Sequence, residues 1–175
     1  MNLIIPQTTP WTSSTEMRSK IIAGAKIHHI VEGQNWQPGM IVHFYESDTK
    51  EVRKVNQFFL ASESFAEDWQ IFEYTDGEAR REPVCFAVEE FSFEIVSEQT
   101  NARKYQVKVG SLFFTTEEMI SLFASNEGFK NYFELIEYYS VILKESNKNK
   151  FTGQVVHWTS NTYESYNDEG YYHSH

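Results

Sequence analysis

The sequence predicts an α+β fold in which a small, mostly antiparallel β-barrel carries one early helix and a late helical pair. Aromatic residues make up 16% of the chain, with 14 Phe, 10 Tyr and 4 Trp, and aromatic residues favour strands. Short apolar runs separated by turn signals, such as Pro38-Gly39, recur along the chain. Helical periodicity is confined to one early stretch and two late ones.

The early elements follow from local signals. Residues 3–5 form a short apolar run that predicts a first strand. Ser13 and Glu16 form a capping box, which predicts a helix over residues 14–23 that ends at Gly24. Residues 26–31 and 40–45 are predicted strands.

The middle of the chain is predicted to contain short strands and one long one. Residues 58–60 and 70–74 are short candidate strands, whereas the charged residues 46–54 and 78–82 are expected to be loops, with a turn at Asp76-Gly77. Residues 84–96 are predicted as a long strand with a bulge at Glu89-Glu90, where the apolar alternation slips. Residues 105–109 alternate cleanly and predict a further strand.

The late helical pair is predicted from two further capping signals. Thr115 with Glu118 begins a helix to about residue 125, and residues 126–128 end it. Asn131 with Glu134 begins a second helix, over residues 131–144. Residues 151–159 are the predicted closing strand. We therefore assign residues 1–159 to a single domain and residues 160–175 to a polar, tyrosine-rich tail that we expect to be loosely held.

Charge and targeting signals limit the classes of partner. The chain has 15 basic and 25 acidic residues, a formal charge of -10, and a negative field disfavours a long nucleic-acid duplex. Residues 17–31 are nevertheless locally basic, with three cations and no acid. Because the chain lacks a signal-peptide pattern and a long apolar run, we expect a soluble cytoplasmic protein with no membrane contact.

Several residues are expected to belong to the core. Cys85 is the single cysteine, and its apolar neighbours predict a buried thiol. His43 and His157 lie within apolar strands, which favours hydrogen-bonded core histidines over a metal site. Trp36 and Trp158 are expected in the core, with a stacking wall for a base as the alternative. We expect no metal and no cofactor.

Three segments of the chain resemble the ASCH family, small domains with the PUA-like barrel fold. In the first segment the matching residues are Gly24, Lys26, Trp36, Gly39, His43 and Phe44. The second segment matches at Glu127, Gly128 and Phe129, and the third at Phe151, Gly153, His157 and Trp158. The resemblance implies a PUA-like barrel, and it implies RNA or nucleotide binding.

One branch of the family resembles a 4-acetylcytidine amidohydrolase that uses Lys, Thr and Glu. Lys26 matches the family lysine, but His29 stands at the threonine position and Val31 at the arginine position. The glutamate has three candidates on the predicted long strand: Glu89, Glu90 and Glu94.

The candidate site is centred on Lys26. We predict Lys26, His29 and Glu94 as catalytic residues and Lys26, His28, His29 and Trp36 as ligand-binding residues, and of the catalytic residues only Lys26 stands at a matched position of the family. A lysine is a catalytic base only if burial lowers its pKa, and the alternative for Lys26 is a surface lysine at a strand start. His28 and His29 are adjacent on a strand, so their side chains are expected on opposite faces, unable to bind one metal together.

Three functions stay open on the sequence. The first is a nucleotide- or RNA-binding module with a cleft around Lys26 for a nucleoside, a nucleotide or a short single-stranded RNA. The second is a small nucleoside amide hydrolase acting on an acetylcytidine-like substrate. The third is a protein-interaction domain, which the charge of -10 and the tyrosine-rich tail favour. The oligomeric state also stays open.

Overall fold

The computed structural model describes residues 2–5, 8–9, 12–47, 52–54, 70–73, 79–99 and 102–163. The predicted strand over residues 58–60, the predicted turn at Asp76-Gly77 and the tail beyond Tyr163 lie outside these ranges. None of the helices in the described part of the chain has the length and apolarity needed to cross a membrane.

Helices and strands alternate much as the sequence predicts. The helices are α1 (Ser14–Ile22), α2 (Glu117–Glu127) and α3 (Tyr132–Ser146). The strands are β1 (Asn2–Ile5), β2 (Thr8–Thr9), β3 (Thr12–Ser13), β4 (His28–Val31), β5 (His43–Ser47), β6 (Val52–Lys54), β7 (Gln70–Glu73), β8 (Ala79–Glu82), β9 (Ala87–Gln99), β10 (Ala102–Val109), β11 (Leu112–Phe114) and β12 (Lys150–His157).

The main sheet has five strands in the order β11-β10-β9-β12-β4, and every neighbouring pair is antiparallel. Three smaller sheets pair β1-β5-β6, β2-β3 and β7-β8, and the β1-β5 pair is parallel. The α+β class is therefore confirmed. Within the described ranges the main sheet has two edges, β11 and β4, and does not close into a barrel.

The helix ends follow the predicted capping signals closely. Asn131 caps α3, and its side chain accepts a hydrogen bond from the backbone of Glu134. Gly128, at φ 104°, ends α2 in the left-handed conformation. The cap of α2 is Thr116, whose hydroxyl accepts from the backbone of Met119, so the predicted cap at Thr115 is wrong by one residue.

Two charged segments predicted as loops contain strands. Residues 46–54 include the end of β5 and all of β6, and the two strands pair with Glu46 opposite Arg53. Residues 79–82 form β8, paired with β7. Charge alone does not prevent a two-stranded ribbon, because its backbone bonds do not require buried side chains, and the loop prediction is wrong at these positions.

The predicted bulge at Glu89-Glu90 is also wrong. The pairing of β9 with β12 runs without a break from Ala87 to Glu94. Glu89 is buried in phase with Phe91 and Phe93, while Glu90 is exposed. The apparent slip in the apolar alternation therefore comes from an acidic side chain in an inward position. The irregularity of β9 lies further along the strand, between Ile95 and Ser97, which pair with Tyr105 and Lys104 of β10.

The apolar core has two parts. The larger one joins the main sheet to α2 and α3 and includes Phe91, Phe93, Phe123 and Leu135. The smaller one lies between α1 and the β4 and β12 side of the sheet, and contains Met17, Ile21, Val31, Trp36, Val42, Cys85, Val156 and Trp158. The burial of Cys85, Trp36 and Trp158 is confirmed.

Candidate functional site

The end of α1 positions Lys26. Gly24, at φ 74°, follows the helix and donates its backbone N–H to Ile21, while Ala25 donates to Lys20. This pair of bonds is a Schellman motif, and it turns the chain out of the helix at the predicted residue. Lys26 and Ile27 are thereby brought to the C-terminal end of α2.

Three successive carbonyls at the end of α2 receive donors from this segment. The oxygen of Asn126 accepts from the backbone of Ile27 at 2.9 Å. The oxygen of Glu127 accepts from the ammonium group of Lys26, and that of Gly128 accepts from Lys20 at 2.6 Å. The last carbonyls of a helix lack intrahelical partners and carry partial negative charge, so two ammonium groups stabilise this end.

Lys26 is buried, with 1% of its surface exposed, and the expectation of a surface lysine is wrong. Its ammonium group donates to the carbonyl oxygen of His28 at 2.7 Å and to that of Glu127, and lies 3.3 Å from the Glu127 carboxylate. Burial lowers the pKa of Lys26, and Glu127 opposes that change. Two hydrogen bonds to backbone oxygens and one ion pair therefore hold the ammonium group in place.

Glu127 is the acidic centre of the site. Its carboxylate accepts from the His28 ring at 2.8 Å and from the backbone of Ile30 at 2.9 Å, in addition to its ion pair with Lys26. Burial raises the pKa of Glu127, but Lys26 and the two histidines outweigh burial and hold it well below its ordinary value. The carboxylate is therefore ionised at neutral pH.

His28 connects this carboxylate to the end of the described chain. Burial lowers the pKa of His28 to about 4, so its ring is neutral at pH 7. An ionised carboxylate only accepts hydrogen bonds, so Nδ1 of His28 carries the proton and Nε2 is an acceptor. Nε2 lies 2.6 Å from the hydroxyl of Tyr163, which also accepts from Asn126 Nδ2 at 2.9 Å.

His29 approaches the same carboxylate as His28. Its Nδ1 lies 3.1 Å from Glu127, outside hydrogen-bond geometry. Both rings reach this one carboxylate because it lies against the backbone of β4, where its Oε1 accepts from the N–H of Ile30. Burial also lowers the pKa of His29.

A second carboxylate lies beside this group. Oε1 of Glu89 accepts from the backbone of Tyr163 at 2.9 Å and lies 2.7 Å from Nε2 of His157. Burial raises the pKa of Glu89, but His157 and the Tyr163 amide lower it by more. Oε2 of Glu89 and both ring nitrogens of His157 make no hydrogen bond within the described ranges, so the contact between Glu89 and His157 is an ion-pair contact outside hydrogen-bond geometry.

Glu94 does not belong to this group. It pairs with Lys150 at the start of β12, whereas His28 pairs with His157 at the other end, opposite Ala87. Seven residues of strand, roughly 23 Å, separate Ala87 from Glu94. The carboxylate at Lys26 is Glu127, which sequence reasoning missed, although the acidic-Gly-Phe segment that contains it was a detectable signal.

Trp36 also lies apart from these polar residues. It is 2% exposed within the smaller core, its backbone donates to Gln154 at 3.1 Å and its ring nitrogen donates to Gln34 at 2.8 Å. These contacts give it a packing role, as expected of a core tryptophan.

An open cavity of about 290 Å³ lies at the end of β12. Its lining residues are Pro38, Gly39, Val84, Cys85, Phe86, Trp158, Thr159 and Ser160. Trp158 joins the cavity to the buried polar residues, because the Lys26 ammonium group lies 5.9 Å from the centre of its ring. Burial raises the pKa of the Cys85 thiol to about 11, so this thiol is protonated at neutral pH.

The described residues contain no group of three His, Cys, Asp or Glu side chains placed to hold a metal ion. Comparison of the chain with family models, with curated proteins and with solved structures found no match.

Proposed function

We propose that the protein is a nucleoside-binding module that also accepts a base of a short single-stranded RNA, and that the base lies in the cavity at Trp158. The observation that carries the proposal is the wall of this cavity, in which the ring of Phe86 is exposed and available to a ligand, while Trp158 is a packed residue with 2% of its surface exposed. Aromatic side chains stack on the faces of bases, whatever the sequence.

The size and lining of the cavity fit one nucleoside. A volume of about 290 Å³ is at the lower end of the range for small-molecule sites. Phe86 is 56% exposed, and a stacked base would cover it. The hydroxyls of Thr159 and Ser160 supply donors and acceptors for the polar edge of a base or a ribose.

Charge favours a ligand with few phosphates. The net charge of -10 repels a polyphosphate, and the buried Lys26 ammonium group is already bound by two backbone oxygens and paired with Glu127. A neutral nucleoside avoids this repulsion, and so does a single exposed base on a short strand.

ASCH membership and a PUA-like barrel are part of the proposal. Four residues of the resembling segments support it, because Lys26, Glu127, His157 and Trp158 meet in space although they are far apart in sequence. A hydrolase would need Lys26 to accept a proton, and the ion pair with Glu127 opposes that role.

Nucleoside titration tests the proposal. We expect cytidine, uridine, adenosine or guanosine, or a short single-stranded oligonucleotide, to show saturable binding by calorimetry at low salt. Phe86→Ala should weaken that binding by about 1–3 kcal/mol, the usual contribution of one stacking ring. Phe133→Ala is the matched control, because Phe133 is 68% exposed on α3, outside the cavity lining.

Two results would contradict the proposal. One is the absence of saturable binding to every nucleoside and to the oligonucleotide. The other is an equal loss of affinity in the Phe86 and Phe133 variants, which would mean that the ligand does not bind in the cavity.

A further inference from the structure

Tyr163 occupies an enclosed position in the interior. It lies six residues beyond the end of β12, yet only 1% of its surface is exposed. Its ring is 5.3 Å from those of Phe114 and Phe123, 5.5 Å from His28 and 5.8 Å from His157, measured between ring centres. The surrounding residues therefore enclose one six-membered ring, in a segment that the sequence predicts as the start of a loosely held tail.

The hydroxyl of Tyr163 forms hydrogen bonds with two side chains, those of His28 and Asn126. Nε2 of His28 is an acceptor, because the other ring nitrogen donates to Glu127, so the hydroxyl donates to it at 2.6 Å. Nδ2 of Asn126 donates to the same hydroxyl at 2.9 Å. The protein therefore presents an acceptor beside a donor at one edge of the ring position.

A planar ring with a donor next to an acceptor matches this edge. Pyrimidine bases and lactams carry such an edge, and the rings of Phe114 and Phe123 offer them apolar walls. Two further buried residues adjoin Tyr163: Glu89 accepts from its backbone N–H, and the ring of His157 lies 5.8 Å from its ring. Within the described residues, Oε2 of Glu89 and both ring nitrogens of His157 have no hydrogen bond. A pyrimidine carries more polar ring atoms than a phenol, so it can offer additional hydrogen bonds to such groups.

We propose that the position of Tyr163 is a binding site for a single-ring heterocycle with a hydrogen-bond donor beside an acceptor, and that Tyr163 is its tethered occupant. Because the Tyr163 ring is attached to the protein by a short segment, it competes with a free ligand for this site at an effective concentration on the order of millimolar. A free ligand therefore has to displace the Tyr163 ring before it binds. This site is separate from the cavity at Trp158, and its existence does not depend on that cavity.

Tyr163→Ala tests the proposal with two simple probes. The first probe, 2-pyridone, has an N–H beside a carbonyl in one ring, and the second, toluene, has a ring of similar size with no polar edge. We expect 2-pyridone to bind the variant at least about tenfold more tightly than it binds the unmodified protein, because the tethered competitor is gone. Toluene should bind the variant more weakly than 2-pyridone does.

Two further variants distinguish specific polar recognition from binding to any cavity that a truncated side chain leaves. Tyr139→Ala removes another buried tyrosine, from α3, at a position bordered by Phe91, Phe93 and Phe151, and it should show no preference for 2-pyridone. Adding Asn126→Ala to Tyr163→Ala should weaken 2-pyridone by about tenfold, because one hydrogen bond is lost, and leave toluene unchanged. Equal binding of the two probes to Tyr163→Ala would overturn the proposal.

Hydrogen exchange in the unmodified protein gives a second readout. Displacement of the ring should release the Tyr163 amide from Glu89, so this amide should exchange faster as 2-pyridone is added and not as toluene is added. If Tyr163→Ala does not fold alone, 2-pyridone should restore its folding and toluene should not. Unchanged exchange, or no selective rescue of folding, would also overturn the proposal. Phe86→Ala should leave all these results unaltered, which separates them from the cavity.

Discussion

Glu127 holds together residues from three distant parts of the chain. Its carboxylate contacts Lys26 and His28, which follow α1, and its own residue ends α2. His28 in turn contacts Tyr163, beyond the last strand. A buried charge is tolerated only when it is paired and hydrogen-bonded, and Glu127 meets both conditions.

Removing the charge of Glu127 should therefore be costly. Glu127→Gln leaves the Lys26 ammonium group buried without a counter-charge and turns an amide donor toward groups that already donate. We expect a loss of about 3–5 kcal/mol in the free energy of unfolding, the range for a broken buried ion pair. Urea unfolding followed by circular dichroism measures this loss.

Two variants check the origin of that loss. Glu137→Gln changes an exposed glutamate on α3 and should change stability by less than about 0.5 kcal/mol. Lys26→Met together with Glu127→Gln should be less destabilising than the sum of the two single changes, because no unpaired charge remains. Strict additivity would mean that the ion pair does not account for the effect.

At the scale of the elements, Gly153 of β12 lies close to the backbone of the neighbouring strand β4. A Cβ placed on Gly153 would lie 2.6 Å from the backbone oxygen of Val31 in β4, a distance that real Cβ atoms do not adopt. The oxygen belongs to the backbone, so the side chains cannot relieve the contact by changing rotamer. The glycine is therefore required by the pairing of β12 with β4.

Gly153→Ala should separate these strands locally and lower the free energy of unfolding by about 1–3 kcal/mol, measured from the urea midpoint. Thr152→Ala, at the adjacent exposed position of β12, is the control and should cost less than about 1 kcal/mol. If the two variants have equal stability, β4 is not held as closely as the structure indicates.

For the whole molecule, the features that depend on neighbouring residues could be predicted from the sequence. The stop at Gly24, the cap at Asn131 and the end of α2 at Gly128 each follow from bonds that span a few residues. These local signals fix the helices and most strands of the main sheet, and hence the α+β class.

The features that depend on long-range contacts could not be predicted. Glu127 contacts Lys26 across 101 residues of sequence, and Tyr163 contacts His28 across 135 residues. The periodicity of the sequence gives no information about contacts over such separations. The sequence predicts a bulge at Glu89 because a buried acidic residue interrupts the alternation of apolar and polar residues, although the strand pairing there is regular. Buried polar groups break the apolar pattern on which sequence reasoning depends.

The stability of the molecule should decline as the pH falls below neutrality. The titratable side chains that contact or face His28 are Glu127, His157, Lys26 and Tyr163. Burial lowers the folded-state pKa of His28 from 6.5 to about 4, so between these values the unfolded chain binds the proton more tightly than the folded protein does. Its contribution is complete above pH 6.5 and is lost as the pH falls toward 4.

The difference between these two pKa values corresponds to about 3 kcal/mol from His28. Glu127 adds a second loss at lower pH, because its pKa is held well below 4.5 in the folded protein and its contribution disappears as it is protonated. Urea midpoints measured from pH 7.5 to pH 4.5 should fall continuously, with proton uptake on unfolding. A midpoint that stays constant across this interval would mean that His28 takes up its proton at the same pH in the folded protein as in the unfolded chain, and the hydrogen bond from Tyr163 to its Nε2 would then be lost as the ring is protonated.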